Sequence, residues 1–111
     1  MALPVLNRYE LMWMLVLFDL PVIEPLERKA ATDFRNFLLN NGFSMIQYSI
    51  YTKLFSGKDA CETYYRLISK NLPTKGKVDI LTVTDKQYGN IISYKAGTKT
   101  QKKQQGQLLL F

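Results

Sequence analysis

Eight apolar residues run without a break from Leu11 to Phe18, and Asp19-Leu20-Pro21 closes the run. A membrane span needs roughly 20 such residues. A run this short, bounded by a carboxylate and a proline, predicts a β-strand buried on both faces. Pro21 has no N–H to donate to a ladder, so the strand ends by Leu20. Asp19 then stands at the strand's C-terminal end, where a rigid scaffold holds one charge at a surface. Aspartate is depleted in strands and is seldom buried without a partner. Two readings of Asp19 follow: a metal or nucleic-acid phosphate site, or a turn residue that satisfies the backbone of the next loop.

Downstream, Pro25 suits a first helical turn. Leu26, Ala30, Phe34, Phe37 and Leu38 recur at helical spacing, and Asn40-Asn41-Gly42 stops the pattern with a glycine cap. Phe43–Phe55 is rich in aromatic and β-branched residues. It reads either as one long strand or as a tight hairpin with a bulge near Tyr48-Ser49. Ser56-Gly57-Lys58-Asp59 opens a second helix, with Ser56 as the candidate cap and Ala60, Tyr64, Leu67 and Ile68 as its stripe; Pro73 and Gly76 end it. Val78–Thr84 is a further strand, apolar on both faces except at Asp79. Asp85–Asn90 is a turn or short helix, and Ile91–Tyr94 packs a last turn on the domain edge. The order β-α-β(β)-α-β predicts a ferredoxin-like α+β sandwich, an antiparallel sheet with both helices on one face. The organisation expected is a domain over residues 1–94, a mobile lysine-rich loop over 95–106 and a C-terminal strand over 107–111, where Gln107-Leu108-Leu109-Leu110-Phe111 cannot fold alone and adds to a sheet edge.

Composition narrows the chemistry. The 111 residues suit one domain, and 47% hydrophobic content supports a core. At this size burial is incomplete, so a dimer is a natural way to cover leftover apolar surface. The chain has no histidine, which excludes Ser-His and Cys-His nucleophiles and the usual zinc sites. The single cysteine, Cys61, fits a reducing cytoplasm and reads as a small apolar helix residue. No signal peptide or membrane span is visible. No phosphate-cradling glycine pattern is present.

Of the net charge of +6, residues 1–85 carry almost nothing, with ten Lys/Arg against nine Asp/Glu. Residues 86–111 hold Lys86, Lys95, Lys99, Lys102 and Lys103 and no acid. A cationic segment this concentrated is either a footprint for a polyanion or a solvated tail.

Several stretches in order then resemble a known family. They are Leu15–Pro21, Glu27-Arg28-Lys29-Ala30, Phe34-Arg35, Phe37-Leu38-Leu39, Gly42-Phe43, Gln47–Tyr51 and Leu81–Gln87. Together they are similar to the second core CRISPR-associated protein, the small spacer-acquisition protein whose members are called CRISPR-associated endoribonucleases, in its type II-like version. The resemblance covers roughly Arg8 to Lys86. It implies a cytoplasmic, ferredoxin-like homodimer that bridges two dimers of the CRISPR integrase, the first core CRISPR-associated protein. It also implies that the assembly captures a short double-stranded DNA and inserts it into the CRISPR array. Asp19 matches the family's strand-end aspartate, credited with binding Mg²⁺ or another divalent cation and, in some members, with cutting RNA or DNA.

One carboxylate per chain is a poor site for Mg²⁺, which wants octahedral oxygen coordination. A nuclease therefore requires two Asp19 side chains across a two-fold axis, with Glu24 and Glu27 the only nearby acids in sequence. The non-catalytic scaffold needs less: lysines near phosphates hold duplex DNA without reading sequence. Some relatives carry arginines just after the first strand, where this chain has Val22-Ile23-Glu24-Pro25. DNA contact is then expected from Arg8, Lys53, Lys86, Lys95, Lys99, Lys102 and Lys103, and partner or dimer contact from Leu108, Leu109, Leu110 and Phe111. The favoured function is the DNA-holding dimer of the spacer-integration complex. The alternative is a divalent-metal-dependent endonuclease using Asp19 from both protomers. A generic RNA-binding module ranks last, because the first strand presents no exposed aromatic pattern for stacking bases.

Overall fold

The computed structural model describes residues 11–95 and 98–102. Six strands and three helices follow in the order β1 (Met12–Asp19), α1 (Pro25–Asn40), β2 (Ser44–Gln47), β3 (Ile50–Phe55), α2 (Lys58–Ser69), β4 (Lys77–Thr84), α3 (Asp85–Gly89), β5 (Ile92–Lys95) and β6 (Thr98–Lys102). The main sheet is antiparallel with strand order β2-β3-β1-β4. This is the ferredoxin-like α+β arrangement, with β1 between β3 and β4 and so paired along both edges.

Pleat parity sorts β1 into two sets. Met12, Met14, Val16 and Phe18 face the helices, together with Phe55 and Tyr51 of β3 and Ile80 and Val78 of β4. Phe34 and Leu38 of α1, Phe43, and Cys61 and Ile68 of α2 complete that core. Each buried side chain of this size contributes about 1.5–3 kcal/mol. Trp13, Leu15 and Leu17 face the other way, beside Leu54, Thr52 and Ile50 of β3 and Val83, Leu81 and Asp79 of β4. The middle of β1 is buried on both faces, as its apolar run predicts. β4 is not: its exposure alternates, and Leu81 is 52% exposed. An edge strand covered by helices on one side alone leaves every second residue outside.

The open alternative over Phe43–Phe55 resolves as a hairpin. Tyr48-Ser49 forms a two-residue turn, Ser49 takes φ 63°, and the β2–β3 register shifts between Met45 and Gln47. Only the second turn residue, Ser49, is left-handed, unlike an Asn-Gly turn in which both residues have positive φ. In α1 the expected apolar stripe meets the core from Phe34 onward, whereas Leu26 in the first turn is 80% exposed. The cap of α2 is Gly57, not Ser56, with no side-chain hydrogen bond. Thr84 does cap α3: its hydroxyl accepts from the Gln87 N–H, and Gln87 reaches back to the Thr84 N–H.

Glu27 plays that reaching-back part for α1. Its carboxylate accepts from the backbone N–H groups of Glu24 (3.0 Å) and Ile23 (3.2 Å), and Lys75 stands 3.6 Å away. The Glu24 N–H holds the Glu27 carboxyl below its ordinary range, partial burial opposes this, and Lys75 adds to the lowering. A lowered folded-state pKa stabilises the fold above the unfolded value of about 4.3, and that contribution is lost as pH falls through the folded value. Glu27→Gln is therefore expected to melt below wild type at neutral pH and to converge with it in acid. Melting temperature measured across that range checks this.

Two expectations change at the C-terminal end. Ile91–Tyr94 is not a packed turn, and residues 95–106 are not wholly a loop. Ile92–Lys95 and Thr98–Lys102 pair antiparallel as a separate two-stranded sheet. An extra C-terminal strand, β5, is thus present, and it pairs with β6 in this ribbon. The expected strand at 107–111, with Leu108, Leu109, Leu110 and Phe111, lies outside the described residues, as do Arg8 and Lys103.

Candidate nucleic-acid and metal site

Asp19 closes β1 as an exposed side chain. Its ladder partner is Lys77, and Leu17, two residues earlier on the same face, pairs with Asp79. A diagonal neighbour in an antiparallel sheet lies about 7–8 Å away, so Asp19 and Asp79 share one end of the open face. Lys77 joins Asp79 in an exposed ion pair of 3.6 Å. The Tyr48-Ser49 turn closes this end of the sheet, because the Phe18 N–H donates to the Ser49 carbonyl at 3.0 Å. The result is a cleft of about 310 Å³ lined by Asp19, Tyr48, Ser49, Lys77 and Asp79, among others.

Asp79 is the acid that sequence reading missed as a neighbour of Asp19. Glu24 and Glu27 were closer along the chain, but Glu27 is committed to the start of α1 and lines a different cleft. The missing signal was the β1–β4 register, which no local pattern encodes. Three or more grouped Asp, Glu, His or Cys side chains of the kind that hold a metal do not occur among the described residues. The described residues of one chain therefore do not by themselves group enough ligands for a divalent cation.

The expected phosphate contacts separate into three groups. Lys53 leaves the set. Its ammonium donates to the Asn41 carbonyl at 2.8 Å and to the Tyr64 hydroxyl at 3.0 Å, and lies 4.2 Å from the Tyr64 ring centroid. It places a cation on the C-terminal carbonyl end of α1, a favourable use of charge that leaves little for a ligand. Lys86 is exposed in the last turn of α3, and Lys95 is exposed at the end of β5. Lys99 pairs opposite Tyr94 and Lys102 opposite Ile92, so the ribbon gathers Lys95, Lys99 and Lys102 on one short element.

A third feature was read from sequence only as a turn. Asp85 is fully buried, its Oδ1 accepts from the Trp13 indole N–H at 2.7 Å, and its own N–H donates to the Leu11 carbonyl. Trp13 stacks on Tyr88 with centroids 4.1 Å apart. This locks α3 over the start of β1. The other carboxylate oxygen of Asp85 has no partner among the described residues.

No helix among the described residues is long and apolar enough to cross a membrane. Comparison with known proteins then bears on the geometry. The family model described as CRISPR associated protein Cas2 matches residues 12–91, from the start of β1 to just before the ribbon. A protein of Paracidovorax avenae named CRISPR-associated endoribonuclease Cas2 is 51% identical over 89 residues, 80% of this chain and 82% of its own length. Proteins of the same name from Flavobacterium psychrophilum and Parvibaculum lavamentivorans are 44% and 40% identical, over 76% and 90% of this chain and 73% and 100% of theirs. With its ferredoxin-like sheet, its strand-end aspartate and a family match over most of its length, this chain belongs to the Cas2 family of CRISPR-associated proteins.

Proposed function

We propose that the chain acts as a homodimeric scaffold of the CRISPR spacer-acquisition complex, bridging integrase dimers and holding the DNA duplex to be inserted. The observation that carries this reading is the lysine ribbon. The positive charge that the rest of the chain lacks is gathered on β5–β6 and its flank, where it meets phosphates without sequence preference. The apolar open face of the sheet, with Leu81 half-exposed on it, supports a second copy as its cover.

The relatives' name favours a second reading, a divalent-metal-dependent endonuclease. It asks a two-fold axis to bring a second Asp19 to the first, since the described residues of one chain group no three such ligands. Asp19→Asn separates the two. Under the scaffold reading, spacer acquisition stays within about twofold of wild type, because duplex binding comes from lysines and not from this carboxylate. Acquisition is measured alongside nuclease activity on the same purified proteins. Acquisition lost while dimer and integrase binding persist would overturn the scaffold reading.

A further inference from the structure

We infer that Asp85 is a positioning residue for the lysine ribbon: its bond to the Trp13 indole fixes α3, and through α3 the direction in which the strands carrying Lys95, Lys99 and Lys102 leave the body. The inference rests on the DNA-holding function proposed above and concerns what aims the surface that performs it.

Asp85, Trp13 and Tyr88 stand outside the cluster that α1, α2 and the sheet bury between them. Asp85 is nonetheless fully buried, with Oδ2 unpartnered among the described residues. A buried polar group left half satisfied costs stability, and an apolar side chain of similar volume would fill the space without that cost. What a carboxyl group supplies and leucine does not is direction. Its Oδ1 accepts from the Trp13 indole N–H at 2.7 Å, and the Asp85 N–H donates to the Leu11 carbonyl at 3.1 Å. The Trp13 ring lies on Tyr88 at 4.1 Å with 12° between the planes. These contacts run in different directions, so together they leave α3 a single orientation on the start of β1.

That orientation passes to the ribbon. Asn90 and Ile91 alone separate α3 from β5, and both are bonded back to the helix. The Asn90 N–H donates to the Gln87 carbonyl at 3.1 Å and the Ile91 N–H to the Tyr88 carbonyl at 3.2 Å. Tyr88 thus holds Trp13 with its ring and the entry of the ribbon with its carbonyl. β5 and β6 pair with each other rather than with the main sheet, and Ile92, Tyr94 and Lys95 are exposed. The phosphates of a duplex stand at fixed spacing, so a ribbon already aimed binds them without first being ordered.

The test is a double-mutant cycle on the full chain, read by fluorescence anisotropy on a blunt duplex. Asp85→Leu removes the acceptor at similar volume, and Asp85→Asn keeps an oxygen for the indole. Each is made in wild type and in a ribbon variant carrying Lys95→Gln, Lys99→Gln and Lys102→Gln. Trp13 is the only tryptophan, so near-UV circular dichroism reports its contacts directly, while sedimentation reports oligomeric state. Asp85→Leu is expected to lose the Trp13 signal and to weaken duplex binding roughly five- to fiftyfold, and Asp85→Asn to keep the signal and stay within about twofold. In the ribbon variant, Asp85→Leu is expected to change the residual affinity by less than about twofold, because an effect carried by the lysines vanishes with them. An equal loss in both backgrounds, a change of oligomeric state, or a folded Asp85→Leu protein of wild-type affinity overturns the inference. Should Asp85→Leu fail to fold, Trp13→Phe breaks the same bond while keeping a ring on Tyr88, and the same cycle decides. Wild type that binds no duplex, or whose affinity survives the loss of all three lysines, overturns the reading of the ribbon as the DNA-holding surface, and the inference with it.

Discussion

Gly76→Ala is expected to destabilise the fold by about 2–5 kcal/mol. Gly76 sits at φ +92°, and an added Cβ would lie 2.6 Å from the Asp19 carbonyl oxygen, 2.8 Å from Leu20 Cδ2 and 3.0 Å from Leu20 Cα. The left-handed conformation alone costs an L-residue about 1–3 kcal/mol, and overpacking adds about 1–3 kcal/mol. Two of the three contacts are backbone atoms that no rotamer change relieves. For a domain of this size the melting temperature should fall by roughly 10 °C or more. Thermal unfolding followed by circular dichroism measures it. Gly42→Ala is the comparison: φ is similar at +87°, but the nearest atom is the Lys53 ammonium at 3.1 Å, a side-chain end that needs to give by only a few tenths of an ångström and can do so while keeping its partners Asn41 and Tyr64. Its cost should stay near the conformational term alone, about 1–3 kcal/mol, without the overpacking that Gly76→Ala adds. The difference between the two variants isolates the packing of the β4 entry against the end of β1, the contact that positions Asp19.

The second large effect concerns binding. Replacing Lys99, Lys102 and Lys103 by glutamate is expected to weaken duplex binding at least about a thousandfold at low salt and to flatten its salt dependence. In a dimer the triple variant removes about six cationic contacts, which lowers the slope of log K against log salt by about 5 if each meets a phosphate. It also puts acids where the phosphates would lie, so repulsion adds to the loss. Anisotropy titrations at several salt concentrations give both numbers at once, and circular dichroism shows whether the domain remains folded. An unchanged slope would assign duplex binding to another surface, Lys86 on α3 being the next to examine.

Much of this protein was legible along the chain. The apolar run Leu11–Phe18 specified a buried central strand because no other element of that length is apolar on every side. Pro25 and Asn40-Asn41-Gly42 bracketed α1 to the residue, since proline and glycine act on the local backbone whatever surrounds them. Leu26 and Leu81 read as core and lie at the surface. Periodicity says which residues share a face, but not how far the opposing layer extends to cover them. Lys53 read as a surface charge and is instead drawn onto the end of α1, because Asn41 and Tyr64 come from elements that meet it only after folding.

The same division runs through the candidate site. Asp19 announced itself, as a lone carboxylate between an apolar strand and a proline is conspicuous in sequence. So did the concentration of lysines after residue 85. The neighbours of Asp19 did not. Asp79 and Lys77 reach it through the β1–β4 register, and Tyr48 through a turn whose key residue is a serine with a left-handed backbone. Register and turn geometry are set by the summed packing of a whole sheet, so residues roughly 30 to 60 positions apart in the chain become one cleft only in three dimensions. Local backbone chemistry and hydrophobic pattern thus determined the elements and their order, while the sheet's long-range pairing alone decided which charges and rings face a ligand together.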